Sequence, residues 1–501
     1  MGEEKNNTPE RNQYRSSFAA TVLFSGVQIY QILIRIIKSK FVAILIGPLG
    51  MGIQSLLHST TETIYAATSF GLRTSSVKTI AAANREGDKN TIAKSIAVLR
   101  RLIWITGMLG LLVCALFSPI WSNASFGNNA YIWSFVGVSL VILFDQLNGG
   151  ELALLQGMQQ KKKLARANVI GQTINALITI PLYYFWGVKA IVAALVLGSF
   201  ISYIISYVYA RRLEVHKVQL SWRETFSIGR EMMKLGFFLS LQSLMANMVV
   251  LIIRNYVSST GGVEEVGLYS AGTTIITTYI GLVFTAIATD YYPRLAATRD
   301  NSELSDAVHT QAELTILLLA PIAISFIVFC QPAILLLYSE EFLPVVNMMY
   351  WAIAAVLFQA AAWAVSYTLL AKAKPTVFFI NELISTAWGL PLKLLCYKYW
   401  GLTGFGMATM ITYCLYLIQV LLISKKLFSF TYKSSIWKLL FSLYVPVGLT
   451  VVLKLMVSDL WGYIFGTTIL ILSAGVVFYK LNKLMDLRSY LMKFKKGNNA
   501  R

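Results

Sequence analysis

The chain has 501 residues, of which 56% are hydrophobic and 13% charged, and a net charge of +20. Soluble domains carry about 25% charged residues, so this balance excludes a soluble protein. Each membrane crossing needs about 20 apolar residues, so the length accommodates many spanning helices.

The apolar segments predict helices near 17–46, 53–72, 94–121, 129–157, 163–186 and 188–211, then 230–258, 265–290, 306–338, 345–372, 376–399 and 402–427, then 434–456 and 459–481. The expected fold is an all-α integral membrane protein of about 14 transmembrane helices. Residues 1–16 read as a cytoplasmic tail, 17–211 as an N-terminal lobe, 212–229 as a cytoplasmic linker and 230–427 as a C-terminal lobe. An extra helix pair fills 428–481 and a basic cytoplasmic tail 482–501. The polar start and the long first apolar stretch argue against a cleavable signal peptide.

The two lobes repeat one another. Gly52-Ile53-Gln54-Ser55 opens an apolar run that returns as Gly267-Leu268-Tyr269-Ser270. Ala81-Ala82-Ala83-Asn84-Arg85 returns as Leu295-Ala296-Ala297-Thr298-Arg299, and Tyr184-Phe185-Trp186-Gly187-Val188 as Lys398-Tyr399-Trp400-Gly401-Leu402. A near-constant offset across several matches implies a duplication. Two similar halves are a common transporter plan, in which they expose a shared cavity to each side in turn.

Charge placement sets the topology. With the N-terminus inside, 35 of the 43 Lys and Arg fall in cytoplasmic segments, and the outside connections 122–128, 259–264 and 339–344 carry none. Short cytoplasmic loops concentrate these residues, so both termini are expected in the cytoplasm. The positive charge also attracts anionic membrane lipids. Its dispersal over many short loops argues against a nucleic-acid partner.

Eight cations remain in or near the spans: Arg35, Lys38, Lys40, Lys189, Arg254, Lys393, Lys398 and Lys454. Lys189, Lys398 and Lys454 sit near helix ends and can snorkel. Arg35 and Arg254 lie deep in the first helix of each half, where a cation costs roughly 2.5–3.5 kcal/mol on the insertion scale. Ser25, Gln28, Gln31, Arg35 and Lys38 share one face of the first helix, and Ser240, Ser243, Asn247 and Arg254 one face of the seventh. Lys40 lies off the Arg35 face. Such faces either bond between packed helices or line a wet cavity. Arg35, Lys38, Lys40, Arg254, Gln28, Gln31 and Asn247 are the candidate substrate-binding residues.

Among the acids, Glu62, Asp145 and Glu382 are candidates for charge pairing or ion coupling, while Asp290 and Glu313 lie close to inside ends and read as solvated. Glu62 flanks a stripe of Gln54, His58, Thr61 and Tyr65, in which His58 reads as a packing residue. The cysteines Cys114, Cys330, Cys396 and Cys414 all lie in apolar segments with no CxxC pair, so neither disulfides nor zinc is indicated. Gly47-Pro48-Leu49-Gly50-Met51-Gly52 follows no strand and reads as a turn, not a nucleotide loop. No catalytic motif is found, so no enzyme, metal or cofactor is expected.

Ile46-Gly47-Pro48-Leu49-Gly50-Met51-Gly52 resembles the opening of the polysaccharide-export branch of the multidrug/oligosaccharidyl-lipid/polysaccharide exporter superfamily. Val266-Gly267-Leu268-Tyr269-Ser270, Asp290-Tyr291-Tyr292-Pro293-Arg294-Leu295, Leu370-Ala371-Lys372-Ala373-Lys374 and Asn381-Glu382 resemble Wzx-type flippases of O-antigen and related glycans. The resemblance covers roughly residues 15–425. It implies two six-helix lobes in a V around a central cavity. It also implies movement of undecaprenyl-diphosphate-linked oligosaccharide, such as an O-antigen unit for lipopolysaccharide, across a bacterial inner membrane. Family members carry basic residues late in the first helix and in the seventh, which Lys38, Lys40 and Arg254 match, and an acidic position that Glu382 matches. Many Wzx proteins stop after twelve helices; the extra pair resembles lipid II-type flippases. The implied partners are the lipid-linked oligosaccharide, membrane lipids, and a polysaccharide polymerase with its chain-length machinery. The alternatives are a lipid II-type flippase and a cation-coupled multidrug-type exporter, for which Glu62 or Asp145 would supply the ion site.

Overall fold

The structure is a computed structural model that describes residues 9–213, 218–372, 375–457 and 459–485, without the side chains at 9–25, 29, 239, 375, 459 and 484–485. The expected tail at 1–8, the basic stretch from 486, Lys217, Lys374 and the Ser25 side chain lie outside the described residues. Every regular element among the described residues is helical.

Helix α1 (Pro9–Thr68) contains two segments that meet at Gly47, whose φ of 61° interrupts the helix. Pro48 restarts it, because a first-turn proline has no N–H to leave unbonded. The turn expected over 47–52 is therefore one residue. Helices α2 (Leu72–Glu86), α3 (Lys89–Leu116), α4 (Ser118–Phe126), α5 (Ile132–Gly157), α6 (Lys161–Trp186), α7 (Ile191–Arg211) and α8 (Trp222–Gly261) follow. Asp88 caps α3 by accepting from the Asn90 and Thr91 amides, and Ser221 and Glu224 form a reciprocal capping box on α8. Then come α9 (Val263–Ala297), α10 (Asn301–Val328), α11 (Cys330–Leu337), α12 (Val346–Ala354), α13 (Val356–Ala371), α14 (Pro375–Phe428), α15 (Ser434–Met456) and α16 (Asp459–Met485).

Eight helices among the described residues are long and apolar enough to cross a membrane, or up to ten if each bent pair is one span. The count differs from the fourteen expected because Lys161–Arg211 and Thr376–Phe428 are each one such stretch holding two predicted helices, and because α1 is not among the eight.

The described chain forms two compact units, Met1–Gly267 with Leu337–Ser339, and Leu268–Leu336 with Glu340–Arg501. In the first, Leu99, Leu102, Leu147 and Leu155 pack with Leu72 and Ile80 of α2. Phe135, Val138 and Ile142 of α5 pack with Leu57 of α1 and Tyr183 of α6. The buried Glu151 carboxylate takes two hydrogen bonds from Arg100, at 3.1 and 3.0 Å. Arg101 donates to the Leu220 carbonyl and the Thr225 hydroxyl, and its guanidinium lies 5.1 Å over the Trp222 ring, which fixes the start of α8 to α3. In the second unit, α10 is buried along its length between α13 and the pair α15 and α16. The Tyr291 and Tyr432 hydroxyls donate to the Ala364 and Ala361 carbonyls of α13, at 2.7 and 2.8 Å.

Two pairs of glycines carry the repeat into three dimensions. Gly187 has φ 55° and ψ −135°, and Gly401 has φ 56° and ψ −143°. Both break a long apolar helix directly after exposed aromatics, Tyr184 and Trp186 in one copy and Tyr399 and Trp400 in the other. Within the first unit, a Cβ on Gly52 would fall 1.9 Å from the Val263 carbonyl oxygen. Its counterpart Gly267 stands in the same relation to Pro48, again at 1.9 Å. Pro48 and Val263 are separated by the same number of residues as Gly52 and Gly267. The contact is thus exchanged reciprocally between corresponding residues of the two sequence copies.

Candidate functional site

The polar face of α1 lies opposite a lipid-like stripe. Leu33, Ile37, Phe41 and Ile44 are exposed on one side of the helix, and Arg35 and Lys38 project from the other by helical spacing. Arg35 and Gln28 are exposed, and Gln31 and Lys38 are half-buried. Among the described residues Arg35 has no ion-pair partner.

Lys38 reaches α6, where its ammonium donates to Asn175 Oδ1 at 2.5 Å. Asn175 is held from behind: its amide fills the space beside Gly198 of α7, where a Cβ would come within 2.2 Å of Asn175 Nδ2. One turn earlier, the Tyr30 and Thr173 hydroxyls bond at 2.7 Å. Lys40 turns elsewhere and donates to the Tyr338 carbonyl.

Helix α8 runs antiparallel along the second segment of α1 and is bonded to the first unit at several levels. The Ser258 hydroxyl donates to the Ser125 carbonyl at 2.6 Å. Arg254 Nη1 donates to the Ser55 carbonyl at 2.9 Å. The Thr63 hydroxyl reaches the Asn247 carbonyl at 3.3 Å. At the far end the backbones of Gly71 and Gly236 touch so closely that a Cβ on Gly71 would sit 2.0 Å from the Gly236 oxygen. The Asn247 side chain is half-buried and Ser243 exposed.

The first helix of each repeat thus carries an anchored cation, Lys38 on α6 and Arg254 on the second segment of α1. His58 lies within electrostatic reach of Arg254, Lys38 and Glu62. The expectation that His58 is a packing residue does not hold, since its side chain is exposed. Tyr65 feels Arg73, Asp145 and Glu62, and Asp145 lies beside Ser199.

Arg100–Glu151 and Lys433–Asp306 are ion pairs among the described residues, and neither includes Glu62, Asp145 or Glu382. Glu382 is bonded by neutral donors instead. The Tyr416 hydroxyl donates to its Oε1 at 2.5 Å and Asn381 Nδ2 at 3.1 Å. Gln419 Nε2 donates to Asn381 Oδ1 at 2.8 Å, and Trp388 Nε1 to Gln419 Oε1 at 2.9 Å. Asp290 is exposed and Glu313 half-buried. The four cysteines are free thiols, with Cys114, Cys330 and Cys396 buried. No group of three or more His, Cys, Asp or Glu suited to a metal ion occurs among the described residues.

The sequence reading missed Asn175 and the Ser55 carbonyl. A signal for Asn175 existed, since Gln172, Asn175 and Thr179 form a polar stripe along an otherwise apolar helix. A backbone carbonyl leaves no such signal.

Among solved structures the fold is similar to the lipid II flippase MurJ in an inward closed conformation, with a TM-score of 0.68 and 12% identity over 93% of this chain and 99% of that one. It is also similar to an inward-facing multidrug resistance MATE family transporter, with a TM-score of 0.65 and 14% identity over 82% and 98%. Both likenesses are of the fold, and with eight helices long and apolar enough to cross a membrane among its described residues the protein is an integral membrane protein. A family model described as polysaccharide biosynthesis protein matches residues 41–347, and the chain belongs to that family. Lipid III flippases of Escherichia coli (strain K12) and Shigella flexneri are each 20% identical to it over 393 residues, 76% of this chain and 91% of theirs.

Proposed function

We propose that the protein is a flippase of a bacterial inner membrane. It moves undecaprenyl-diphosphate-linked oligosaccharide, an O-antigen or related repeat unit, from the cytoplasmic to the periplasmic leaflet by alternating access. The observation that carries this reading is that the first helix of each repeat holds an anchored cation, Lys38 on Asn175 at 2.5 Å and Arg254 on the Ser55 carbonyl at 2.9 Å. A diphosphate needs cations and water, and guanidinium and ammonium groups both bind phosphate well. Similarity to proteins named lipid III flippase supports the same cargo class. An inside-negative potential favours outward movement of an uncompensated anion by about 2.3 kcal/mol per charge per 100 mV.

The test is reconstitution. Vesicles containing the purified protein should expose a fluorescent undecaprenyl-diphosphate glycan, loaded in the inner leaflet, to an impermeant quencher faster than protein-free vesicles. Proton-driven efflux of a small cationic dye without movement of the lipid would establish the exporter alternative instead.

The lobes extend over 17–211 and 230–427, and both termini lie in the cytoplasm. Reporter fusions after Ser122 and after Lys161 are expected to report opposite sides of the membrane; the same side for both would overturn this topology. The carboxylates act in turnover more than in binding, because a bare carboxylate repels a diphosphate. Asp145→Asn and Glu382→Gln should therefore retain cargo affinity, and a ten-fold loss in either would reverse that role.

A further inference from the structure

Lys393 lies well inside the first segment of α14, eight residues before the break at Gly401. Among the described residues it has no ion pair. A lysine near a span end can reach the membrane surface along the lipid face, but Lys393 is on the wrong side for that. The exposed positions of this segment, Ile380, Leu383, Ile384, Ala387, Pro391 and Leu395, follow one helical stripe. Glu382, Thr386, Gly389 and Lys393 recur at i, i+4, i+7 and i+11 on the opposite face. Lys393 therefore shares a face with the Glu382–Tyr416 network, about 16 Å further along the helix.

The facing segment contributes Thr412. A Cβ on Gly389 would lie 3.6 Å from Thr412 Cγ2, so the threonine, on the second segment of α14, faces the first segment one turn from Lys393. Its hydroxyl is buried and lacks a hydrogen-bond partner among the described residues. A buried hydroxyl without a partner is uncommon in a folded protein. An ammonium kept inside a membrane span faces a partner or a wet path. Both groups can donate to an anionic oxygen, and the described residues place no carboxylate within ion-pair distance of Lys393.

We propose that Lys393, with the Thr412 hydroxyl one turn along the same face, forms an oxyanion-binding position of the second unit that takes an anionic group of the cargo. This rests on the flippase reading. The group is either a carboxylate on an acidic sugar or the diphosphate itself; the chemistry is the same, and Lys38 and Arg254 in the first unit already answer to a diphosphate.

The test uses full-length protein in nanodiscs and three probes: undecaprenyl diphosphate, the same lipid bearing a neutral disaccharide, and the same lipid bearing a glucuronate-containing disaccharide. Lys393→Met should weaken binding about ten-fold or more, Thr412→Val less, and Lys393→Arg should retain most of it. A loss confined to the glucuronate probe assigns the sugar carboxylate, and an equal loss on all three assigns the diphosphate. Removing an ammonium that only burdens the fold should leave the thermal midpoint unchanged or raised. Native affinity of Lys393→Met for all three probes, in a protein whose Arg254→Ala variant loses them, would overturn the proposal and leave the flippase reading standing. Failure of the native protein to bind any probe would remove both.

Discussion

Placing a methyl group on Gly52 or Gly267 should destabilise the protein by roughly 1–3 kcal/mol each, the usual cost of overpacking a tight contact. The reason is backbone geometry. Each Cβ would fall 1.9 Å from a carbonyl oxygen, of Val263 in one case and Pro48 in the other. A flexible side chain could swing away, but a helical carbonyl moves only with its helix. Because the contacts are reciprocal, either substitution forces apart the same pair of backbones. The second should then find the gap already opened. Gly52→Ala and Gly267→Ala are therefore expected to be strongly non-additive, with the double variant little worse than either single, as coupled neighbours are. The measurement is the thermal unfolding midpoint of the three variants in detergent. Native midpoints for both single variants would show that the chain avoids the close approach. Fully additive losses would show that the two sites are not one contact.

Much of the architecture was legible because bilayer thickness imposes length and apolarity on every crossing. The repeat was legible for a related reason. Gly187 and Gly401 each follow two or more aromatics and must adopt a positive φ to turn the chain, so the same short pattern recurs where the same backbone is needed. Span limits were less legible. A single glycine break in α1 or α14 separates two segments without any polar loop to announce it. Periodicity also tells which face a residue occupies, never what meets that face. It placed Lys38 and Arg254 on polar faces but could not foresee Asn175 or the Ser55 carbonyl as their partners. It assigned His58 to packing, although the seam with α8 leaves it exposed. The grouping of α8 with the first unit could not be read either, because the hydrogen bonds of Thr63 and Ser258 end on backbone carbonyls.

Loss of the three cations should abolish glycan export without unfolding the protein. Arg254→Ala removes a guanidinium that reaches the Ser55 carbonyl at 2.9 Å, and Lys38→Ala removes an ammonium held by Asn175 at 2.5 Å. Each charge-assisted contact to a phosphate oxygen contributes on the order of 1.5–3 kcal/mol, or about ten- to a hundred-fold in affinity. Both anchors fix where the positive charge sits before cargo arrives, so little ordering cost remains at binding. Arg35 is exposed on the same face of α1 and adds charge without a fixed position. Its single variant should therefore lose least, and Arg254→Ala most. Arg254→Lys should recover only part of the loss, since it keeps the charge and loses the planar fork. Surface glycan in a flippase-null strain is the readout, with membrane abundance checked by immunoblot. In an Arg35→Ala, Lys38→Ala, Arg254→Ala triple variant at native abundance, normal export would rule out cationic capture of a diphosphate as the basis of transport.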